Sequence, residues 1–351
     1  MPDQPLFCAR PFKRFEVSHG GQVYMCCKNW LRTPIGDLNT QSVQEIWNGP
    51  VARDIRRSIH DGSFEYCSRE RCPFLQTATG PVKPVDRLSD PDLQAAAARR
   101  LTELPYGPRE IDCAYDRSCN LTCPSCRTKL IVETENEKKI LELQGKLERE
   151  ALADAHYLGI TGSGDPFGSP YFRRWLQTMR RADMPKLRLI NLQTNAMLWT
   201  PALWKTIPED VRALIKGADI SIDAASPGTY AVNRRGGDFH KLLRNLEFVS
   251  ALRRDGPLRW VVISMVVQEN NFAEMPAFVE LGRRLGFDVV YFSQLTDWGT
   301  YGEGEYERRA IHRPQHPRHA ELLAVLDDPL FASPLVQLGN LTAARRRQAV
   351  P

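Results

Sequence analysis

Nine cysteines carry the most distinctive chemistry of this 351-residue sequence, and they are clustered. Cys119, Cys123 and Cys126 form the three-cysteine loop, CNLTCPSC, with no fourth cysteine shortly after it. Structural zinc sites usually have four protein ligands, whereas an iron–sulfur cubane can be held by three thiolates with one iron left open. The spacing therefore favours an iron–sulfur cluster, with zinc completed by a distant Cys or His as the alternative.

A second group of cysteines lies near the start of the chain, in a region broken by glycine and proline. Residues 1–80 contain one predicted helix, from Ser42 to about His60, and few apolar residues for their length. A bound metal could replace the missing core of such a segment. Four thiolates fit either one iron–sulfur cluster or one zinc ion, and spacing alone does not choose between them. The cysteines of this group are Cys8, Cys26, Cys27, Cys67 and Cys72.

Composition limits the other classes of function. The net charge of +5 is too small for a chain of this length to imply a nucleic-acid partner, and the one dense basic run, Arg345–Arg347, is expected to be a solvated tail. No apolar run is long enough to cross a bilayer, and the N-terminus lacks the apolar core of a signal peptide. The expectation is a cytoplasmic protein without a membrane partner, in which clustered thiols are metal ligands or redox groups rather than disulfides.

Strands and helices alternate through the rest of the sequence. A linker with an alanine-rich helix near 90–103 is predicted over 81–108, and a C-terminal extension over 296–351. Alternation of this kind predicts an α/β fold with parallel strands, whose functional loops follow the carboxyl ends of the strands. The predicted strands are 109–115, 156–161, 187–194, 218–223, 259–267 and 288–295.

Over about residues 109–295 the chain resembles the radical S-adenosylmethionine superfamily. The C-x3-C-x2-C loop follows the first strand, GSGDP follows the second, and TNA follows the third. The resemblance implies a partial (β/α)6 barrel with the three loop cysteines on one 4Fe–4S cluster and S-adenosylmethionine on its open iron. Asp165 would hold the methionine amino group, and Arg234 or Arg235 its carboxylate. The implied cofactor-binding residues are Ser163, Gly164, Asp165, Asn195, Ser221, Asp223, Arg234 and Arg235.

The sequence departs from the family pattern at three positions. Ser125 stands where the family usually has an aromatic residue against adenine, so adenine is expected to use strand-end residues instead. Asp165 is shorter than the usual glutamate, and Ala196 replaces a glycine. None of these changes removes the cluster or its open coordination position.

The N-terminal segment resembles the SPASM and twitch auxiliary-cluster domains through its C-x12-G-x4-C spacing, which runs from Cys8 through Gly21 to Cys26. The resemblance implies a small cysteine-rich domain over residues 1–80 with a second 4Fe–4S cluster. The glycine spacing selects Cys26 over its neighbour Cys27. The implied ligands are Cys8, Cys26, Cys67 and Cys72.

Cys113 and Cys27 are left without a cluster. Cys113 lies on the first predicted barrel strand. A buried cysteine commonly acts as a small hydrophobic residue, but a thiol facing the barrel could return a hydrogen atom to a substrate radical. Cys113 is the first candidate for this donor, and Cys27 is the second.

The resemblance implies an enzyme that cleaves S-adenosylmethionine reductively and removes hydrogen from a substrate carbon. The expected reaction is redox-neutral epimerisation of a sugar in an antibiotic oligosaccharide of the avilamycin type, with Trp298, Tyr301, Tyr115 and Asp297 as candidate sugar contacts. The expected partners are a small-molecule or oligosaccharide substrate and a flavodoxin- or ferredoxin-type electron donor. Maturation of a ribosomal peptide and oxidation of a sugar alcohol are the alternatives, with a non-catalytic zinc-binding interaction protein as the alternative from another class.

Overall fold

The structure, a computed structural model, describes residues 5–342, so the basic run Arg345–Arg347 lies outside the described residues. The chain divides into two compact units. The first unit runs to Arg117 and also contains Glu133–Ser163 and Met179–Ile190. The second contains Ser118–Val132, Gly164–Thr178 and the described residues from Asn191 onward.

The first unit is built on a sheet in which β7, β6, β2, β3 and β4 are neighbours in that order, beside a two-stranded sheet of β1 and β5. Its strands are β1 Leu6–Cys8, β2 Arg14–Ser18, β3 Gln22–Tyr24, β4 Gly36–Asp37, β5 Val82–Pro84, β6 Glu110–Ala114 and β7 Tyr157–Ile160. Its α-helices are α1 Val43–Trp47, α2 Pro50–His60, α3 Pro73–Thr77, α4 Pro91–Ala98 and α5 Glu137–Glu150.

Strand β2 belongs to the cysteine-rich segment but pairs in parallel with β6, the first predicted barrel strand. The register runs from Arg14 opposite Glu110 to Ser18 opposite Ala114. Strand β6 then pairs in parallel with β7. The cysteine-rich segment and the first two predicted barrel strands therefore share one sheet, a connection that the sequence did not indicate.

The single helix predicted from Ser42 to about His60 is two helices, α1 and α2. Ser42 caps α1 with a capping box, since its hydroxyl accepts from the Glu45 amide while the Glu45 carboxylate accepts from the Ser42 amide. Asn48 and Gly49 separate the helices, and Pro50 begins the second. Proline lacks the amide hydrogen that a continuous helix would need at this point, so the chain restarts instead.

In the second unit the strands are neighbours in the order β12, β11, β10, β9 and β8. Only the part of β8 from Asn191 onward belongs to this unit. Its strands are β8 Leu189–Thr194, β9 Ile215–Ser221, β10 Trp260–Val267, β11 Val289–Gln294 and β12 Val336–Gln337. Its α-helices are α6 Pro170–Thr178, α7 Pro201–Lys205, α8 Glu209–Arg212, α9 Pro227–Asn233, α10 Phe239–Arg254, α11 Met275–Arg284, α12 Glu305–Arg309 and α13 His319–Leu326.

Parallel pairing joins β9 to β10, β10 to β11, and β11 to β12. Strand β10, WVVISMVV, alternates half-buried and fully buried positions, as a strand of branched apolar residues between packed layers should. All six predicted strands form, as β6 to β11, and the predicted α/β class with a parallel sheet is confirmed. None of the helices in the described part of the chain is long and apolar enough to cross a membrane.

Candidate metal centres

The three-cysteine loop lies in the second unit and is held by its own backbone. The Cys126 and Arg127 amides both donate to the Cys123 carbonyl, at 2.9 and 3.0 Å, which turns the chain back on itself. The Thr122 amide donates to the Arg235 carbonyl at 2.9 Å. Cys119 and Cys123 are buried, whereas Cys126 is exposed. These backbone hydrogen bonds fix the shape of the loop.

Each of the three loop sulfurs receives one side-chain N–H donor. Asn195 Nδ2 donates to Cys119 Sγ at 3.6 Å, and Arg234 Nη1 donates to Cys123 Sγ at 3.6 Å. The buried Arg127 donates through Nη2 to Cys126 Sγ at 3.4 Å. Donors and cations beside sulfur favour the thiolate, which is the form that binds a metal. Asn195 and Arg234 were predicted as binding residues, but Arg127 was not, although its place directly after the last cysteine was a usable signal.

Burial and charge act on these thiols in opposite directions. Burial, together with the carboxylate of Asp165, raises the pKa of Cys119 to about 11 against the lowering effect of Arg127. Burial also raises the pKa of Cys123, against the opposing charge of Arg234. Burial therefore favours the protonated form of both thiols, and the arginines oppose it. A bound metal must displace their protons, and the arginines lower the cost of doing so.

Asp165 is buried, and both of its carboxylate oxygens accept hydrogen bonds from the protein. Oδ1 accepts from the amides of Phe167 and Gly168 at 3.0 and 2.8 Å. Oδ2 accepts from Thr194 Oγ1 and from the Asn195 amide, both at 2.8 Å. A carboxylate has about four lone-pair sites. The group expected to hold the methionine amino group is thus already used to join two loops and to place Asn195.

Arg234 and Asp223 form a buried ion pair next to Cys123, with Nη2 and Oδ2 2.8 Å apart. The second oxygen of Asp223 accepts from the Val266 amide at 2.8 Å. Arg235 has an exposed side chain, and its carbonyl holds the three-cysteine loop. Of the two arginines predicted to bind the cofactor, Arg234 is therefore the one whose guanidinium faces the cysteines.

The remaining predicted cofactor residues are divided between the units. Ser163 belongs to the first unit, where its hydroxyl donates to the Ala114 carbonyl at 2.7 Å, while Gly164 begins the next segment of the second unit. Ser221 ends β9, and its hydroxyl lies 3.5 Å from that of Ser264. These positions are established by the structure, and their contacts with a cofactor stay predictions.

Two of the departures from the family pattern have a local explanation. Ala196 has φ +58°, in the left-handed region that glycine adopts without strain. The glycine of the family pattern therefore suits this backbone conformation, whereas alanine adopts it at a cost in conformational energy. Near Ser125, Thr300 Oγ1 donates to the Pro124 carbonyl at 2.8 Å. Tyr301 forms a hydrogen bond with the Ser125 side chain. Residues after β11 therefore contact the three-cysteine loop at the position that lacks its aromatic side chain.

The second site, called here the cysteine cavity, lies in the first unit. Burial, together with the neighbouring thiols of Cys26 and Cys72, raises the pKa of Cys67 to about 12. Burial also raises the pKa of Cys8 and of Cys26. The cavity is lined by the four predicted cysteines, by Arg10 and by mainly apolar side chains: Cys8, Arg10, Pro11, Cys26, Trp30, Leu31, Phe64, Cys67, Cys72, Phe74, Leu75, Pro81 and Val82. An apolar chamber with four sulfurs suits a cluster that must be shielded from water.

The glycine of the C-x12-G-x4-C spacing is explained by its backbone. Gly21 has φ +92° in the turn between β2 and β3, and a Cβ at this position would collide with the Asn39 side-chain amide. The Leu38 amide also donates to the Gly21 carbonyl at 2.9 Å. The turn positions β3 and therefore Cys26, which follows β3 and lines the cavity. The glycine is thus needed for the site although it contacts no sulfur.

Cys27 and Cys113 lie outside the cysteine cavity. Cys27 is half-buried, and its carbonyl accepts from the amides of Trp30 and Leu31 at 2.9 and 3.0 Å. Cys113 is fully buried on β6, and burial and the neighbouring Asp112 raise its pKa well above the usual range of a thiol. The cavity therefore contains Cys26 rather than Cys27, as the glycine spacing indicated.

None of the nine cysteines, which all lie among the described residues, forms a disulfide. Among residues 5–342, no group of three or more His, Cys, Asp or Glu side chains is arranged to hold a single metal ion. The two thiol sets nevertheless fit clusters, because one gathers four sulfurs around an apolar chamber and the other gives each of three sulfurs its own donor. The four cysteines of the cysteine cavity would each hold one iron of a cluster. The three cysteines of the three-cysteine loop would leave one iron of their cluster without a protein ligand.

Comparison with protein families shows which domain contains the cysteines of the cysteine cavity. Residues 8–73 match the SPASM family, described as an iron–sulfur cluster-binding domain. A comparison with curated protein sequences found no match. The chain therefore contains a SPASM domain at its N-terminus, and the predicted SPASM-like module is confirmed.

Solved structures similar to this chain include TYW1 with a lysine-pyruvate adduct bound, at 18% identity and a TM-score of 0.39 over 64% of this chain and 74% of that one. A second is anSMEcpe with bound AdoMet and Kp18Cys peptide, at 18% identity and a TM-score of 0.43 over 64% of this chain and 59% of that one. A third is Streptococcus suis SuiB bound to precursor peptide SuiA, at 11% identity and a TM-score of 0.43 over 87% of this chain and 66% of that one. This chain thus spans less than two thirds of the second and third structures, and the likenesses are distant.

Residues 8–73 therefore match a SPASM domain, and the α/β units and the three-cysteine loop after β6 have the element order and cysteine placement that the sequence predicted. The matched family is described as iron–sulfur cluster-binding, which favours a cluster over zinc in the cysteine cavity, where the thiol spacing left both open.

Proposed function

We propose that this chain is an enzyme that cleaves S-adenosylmethionine on a 4Fe–4S cluster held by Cys119, Cys123 and Cys126. S-adenosylmethionine bound to the reduced cluster supplies a 5′-deoxyadenosyl radical, which removes hydrogen from an unactivated substrate carbon. The observation that carries the proposal is the set of three donors, one for each loop sulfur. Two of the three are arginines, Arg127 and Arg234, which balance the negative charge of the thiolates.

Arg234 is the residue best placed to hold the carboxylate of S-adenosylmethionine. A guanidinium has five N–H donors, and the contacts with Cys123 and Asp223 use Nη1 and Nη2. The remaining donors can form charge-assisted bonds with a carboxylate beside the cluster. Asp165 acts as a positioning residue, because its four hydrogen bonds place the Asn195 amide and leave it little capacity to accept from an ammonium group.

The proposal is tested by anaerobic reconstitution, an iron determination and an assay of 5′-deoxyadenosine after reduction. Arg234→Gln should lower 5′-deoxyadenosine formation at least tenfold, on the order of a lost 1.4 kcal/mol or more of transition-state stabilisation. Arg235→Gln is the matched control, because its exposed side chain does not face the cysteines. Equal activity of the two variants at equal iron content would remove Arg234 from the site.

For the substrate, we propose a sugar-containing small molecule or oligosaccharide that undergoes redox-neutral epimerisation. Trp298 supports this choice, since its side chain is 57% exposed on the segment that Thr300 fixes to the three-cysteine loop. An exposed indole fixed near a radical centre offers a flat apolar surface for one face of a sugar ring. A ribosomal peptide is the rival substrate class, and sugar oxidation is the rival reaction.

Turnover in D2O separates these reactions. Epimerisation places one solvent-derived deuterium on the product carbon without net oxidation, whereas oxidation yields a carbonyl and no deuterium at that carbon. A peptide substrate gives a peptide product and no turnover of the sugar. The reaction also needs a one-electron donor of the flavodoxin or ferredoxin type, and we propose the reducing cytoplasm as its location because exposed clusters are destroyed by oxygen.

A further inference from the structure

Arg10 lines the cysteine cavity, yet no sequence motif singled it out. Its Nη1 donates to Cys26 Sγ at 3.7 Å. The guanidinium carbon lies 5.3 Å from the ring centroid of Trp30 and 5.2 Å from that of Phe74, and the two rings meet edge to face with centroids 5.4 Å apart. Two aromatic rings therefore fix a positive charge against one of the four sulfurs.

In the described part of the chain no carboxylate lies within ion-pair distance of Arg10, and Asp112, which interacts with Arg10 only at longer range, forms its close pair with Arg14 instead. Arg14, the next arginine along the chain, differs in this respect, because it pairs with Glu16 at 2.9 Å and with Asp112 at 3.2 Å. A cation in a mainly apolar site without an anion is costly. The arrangement becomes favourable when the cavity contains an anion.

A 4Fe–4S cluster with four thiolate ligands is such an anion. Its net charge becomes more negative by one when it takes up one electron, and no bond forms or breaks in that step. A fixed cation stabilises the reduced state more than the oxidised state, because the attraction grows with the charge of the cluster. A hydrogen bond to a cysteine sulfur acts in the same direction.

We propose that Arg10 is the counter-charge of the SPASM-domain cluster and raises its reduction potential, which suits that cluster to accept and pass on single electrons. Arg10 is a positioning residue, and the electron comes from a low-potential one-electron reductant. The proposal depends on the iron–sulfur cluster of the SPASM domain and is independent of S-adenosylmethionine cleavage. A purely structural cluster would need no fixed, unpaired cation at its sulfur.

The test is an EPR-monitored redox titration of the full-length protein with both clusters reconstituted. Arg10→Gln should shift one of the two midpoint potentials to more negative values by about 59 mV, which is a tenfold loss of preference for the reduced state in a one-electron couple. Arg10→Lys keeps the charge and should shift the same potential by less. The second potential is an internal control.

Arg57→Gln is the matched control, since Arg57 is an exposed arginine of the same domain that pairs with Asp54. A shift in Arg10→Gln no larger than in Arg57→Gln would overturn the proposal. If Arg10→Gln binds no iron in the cavity while Arg10→Lys does, the requirement for charge is upheld. If the lysine variant also loses that iron, Arg10 serves packing only and the proposal is wrong. None of these results depends on whether 5′-deoxyadenosine forms.

Discussion

Replacement of Arg234 by glutamine tests the site most directly at the level of folding energy. The exchange removes the cation from a pair whose side chains are 12% and 1% exposed, for Arg234 and Asp223 respectively. The carboxylate of Asp223 then stays buried, keeping its hydrogen bond from the Val266 amide but losing its cation. Breaking a buried pair by removing one partner typically costs about 3–5 kcal/mol. We expect the free energy of unfolding to fall by that amount near pH 8.

The loss should depend on pH in a definite direction. Burial raises the pKa of Asp223, and Arg234 opposes the rise. Without Arg234 the folded-state pKa rises further, so the folded state favours the protonated acid. Stability from such a group is fully present below the unfolded-state pKa and is lost as pH rises through the folded-state pKa. The destabilisation by Arg234→Gln should therefore shrink as the pH is lowered from 8 to 5.

The assay is urea unfolding of the metal-free protein, followed by tryptophan fluorescence at both pH values. Arg235→Gln should change the unfolding free energy by no more than about 0.5 kcal/mol, as expected for an exposed side chain. In the double variant with Asp223→Asn, the combined loss should be smaller than the sum of the single losses by about 2 kcal/mol. Additive losses, or equal effects of the two arginine variants, would refute the buried-pair interpretation.

Three further outcomes follow from backbone and thiol positions. Gly21→Ala should prevent stable binding of iron in the cysteine cavity and lower the bound iron by about half, because φ +92° and the contact with Asn39 disfavour a Cβ at this position. Full iron content in this variant would contradict the prediction. Ala196→Gly should raise the unfolding free energy by up to about 1 kcal/mol through relief of left-handed strain, and a loss of stability would show that the strain is absent. If a thiol returns hydrogen to the substrate radical, Cys113→Ala or Cys27→Ala should abolish deuterium incorporation while 5′-deoxyadenosine still forms; unchanged turnover in both variants would end the thiol-donor proposal.

Much of the second half of the fold could be predicted because its strands are short apolar segments between clear helical patterns. The strand predicted over 259–267 is β10, Trp260–Val267, and the strand predicted over 288–295 is β11, Val289–Gln294. The break between α1 and α2 was missed although Gly49 and Pro50 signal it. The apolar spacing on both sides favoured one helix, and the missing amide hydrogen of proline outweighed it.

The cysteines of the site were also predictable, because thiol spacing and one glycine report a local arrangement. What surrounds them was not predictable, because it depends on which side chains the fold brings near each sulfur. Arg127 is adjacent to Cys126 in sequence, but Arg10 reaches Cys26 only through the packing of Trp30 and Phe74.

Asp165 was predicted to be near the cofactor, but sequence did not indicate that its oxygens would be occupied by backbone amides and a threonine hydroxyl. A carboxylate in a loop can accept from a ligand or from the protein, and only the folded loop shows which donors lie within reach. Its contact with a cofactor stays a prediction, and its hydrogen bonds show that it also joins two loops.

Single-turnover formation of 5′-deoxyadenosine tests whether the three-cysteine loop holds a cluster that cleaves S-adenosylmethionine. Anaerobically reconstituted protein should yield 5′-deoxyadenosine and methionine in equal amounts after reduction. The triple variant Cys119→Ala, Cys123→Ala, Cys126→Ala should yield none while keeping the iron of the SPASM domain. Wild-type protein with full iron content that leaves S-adenosylmethionine intact would contradict the claim.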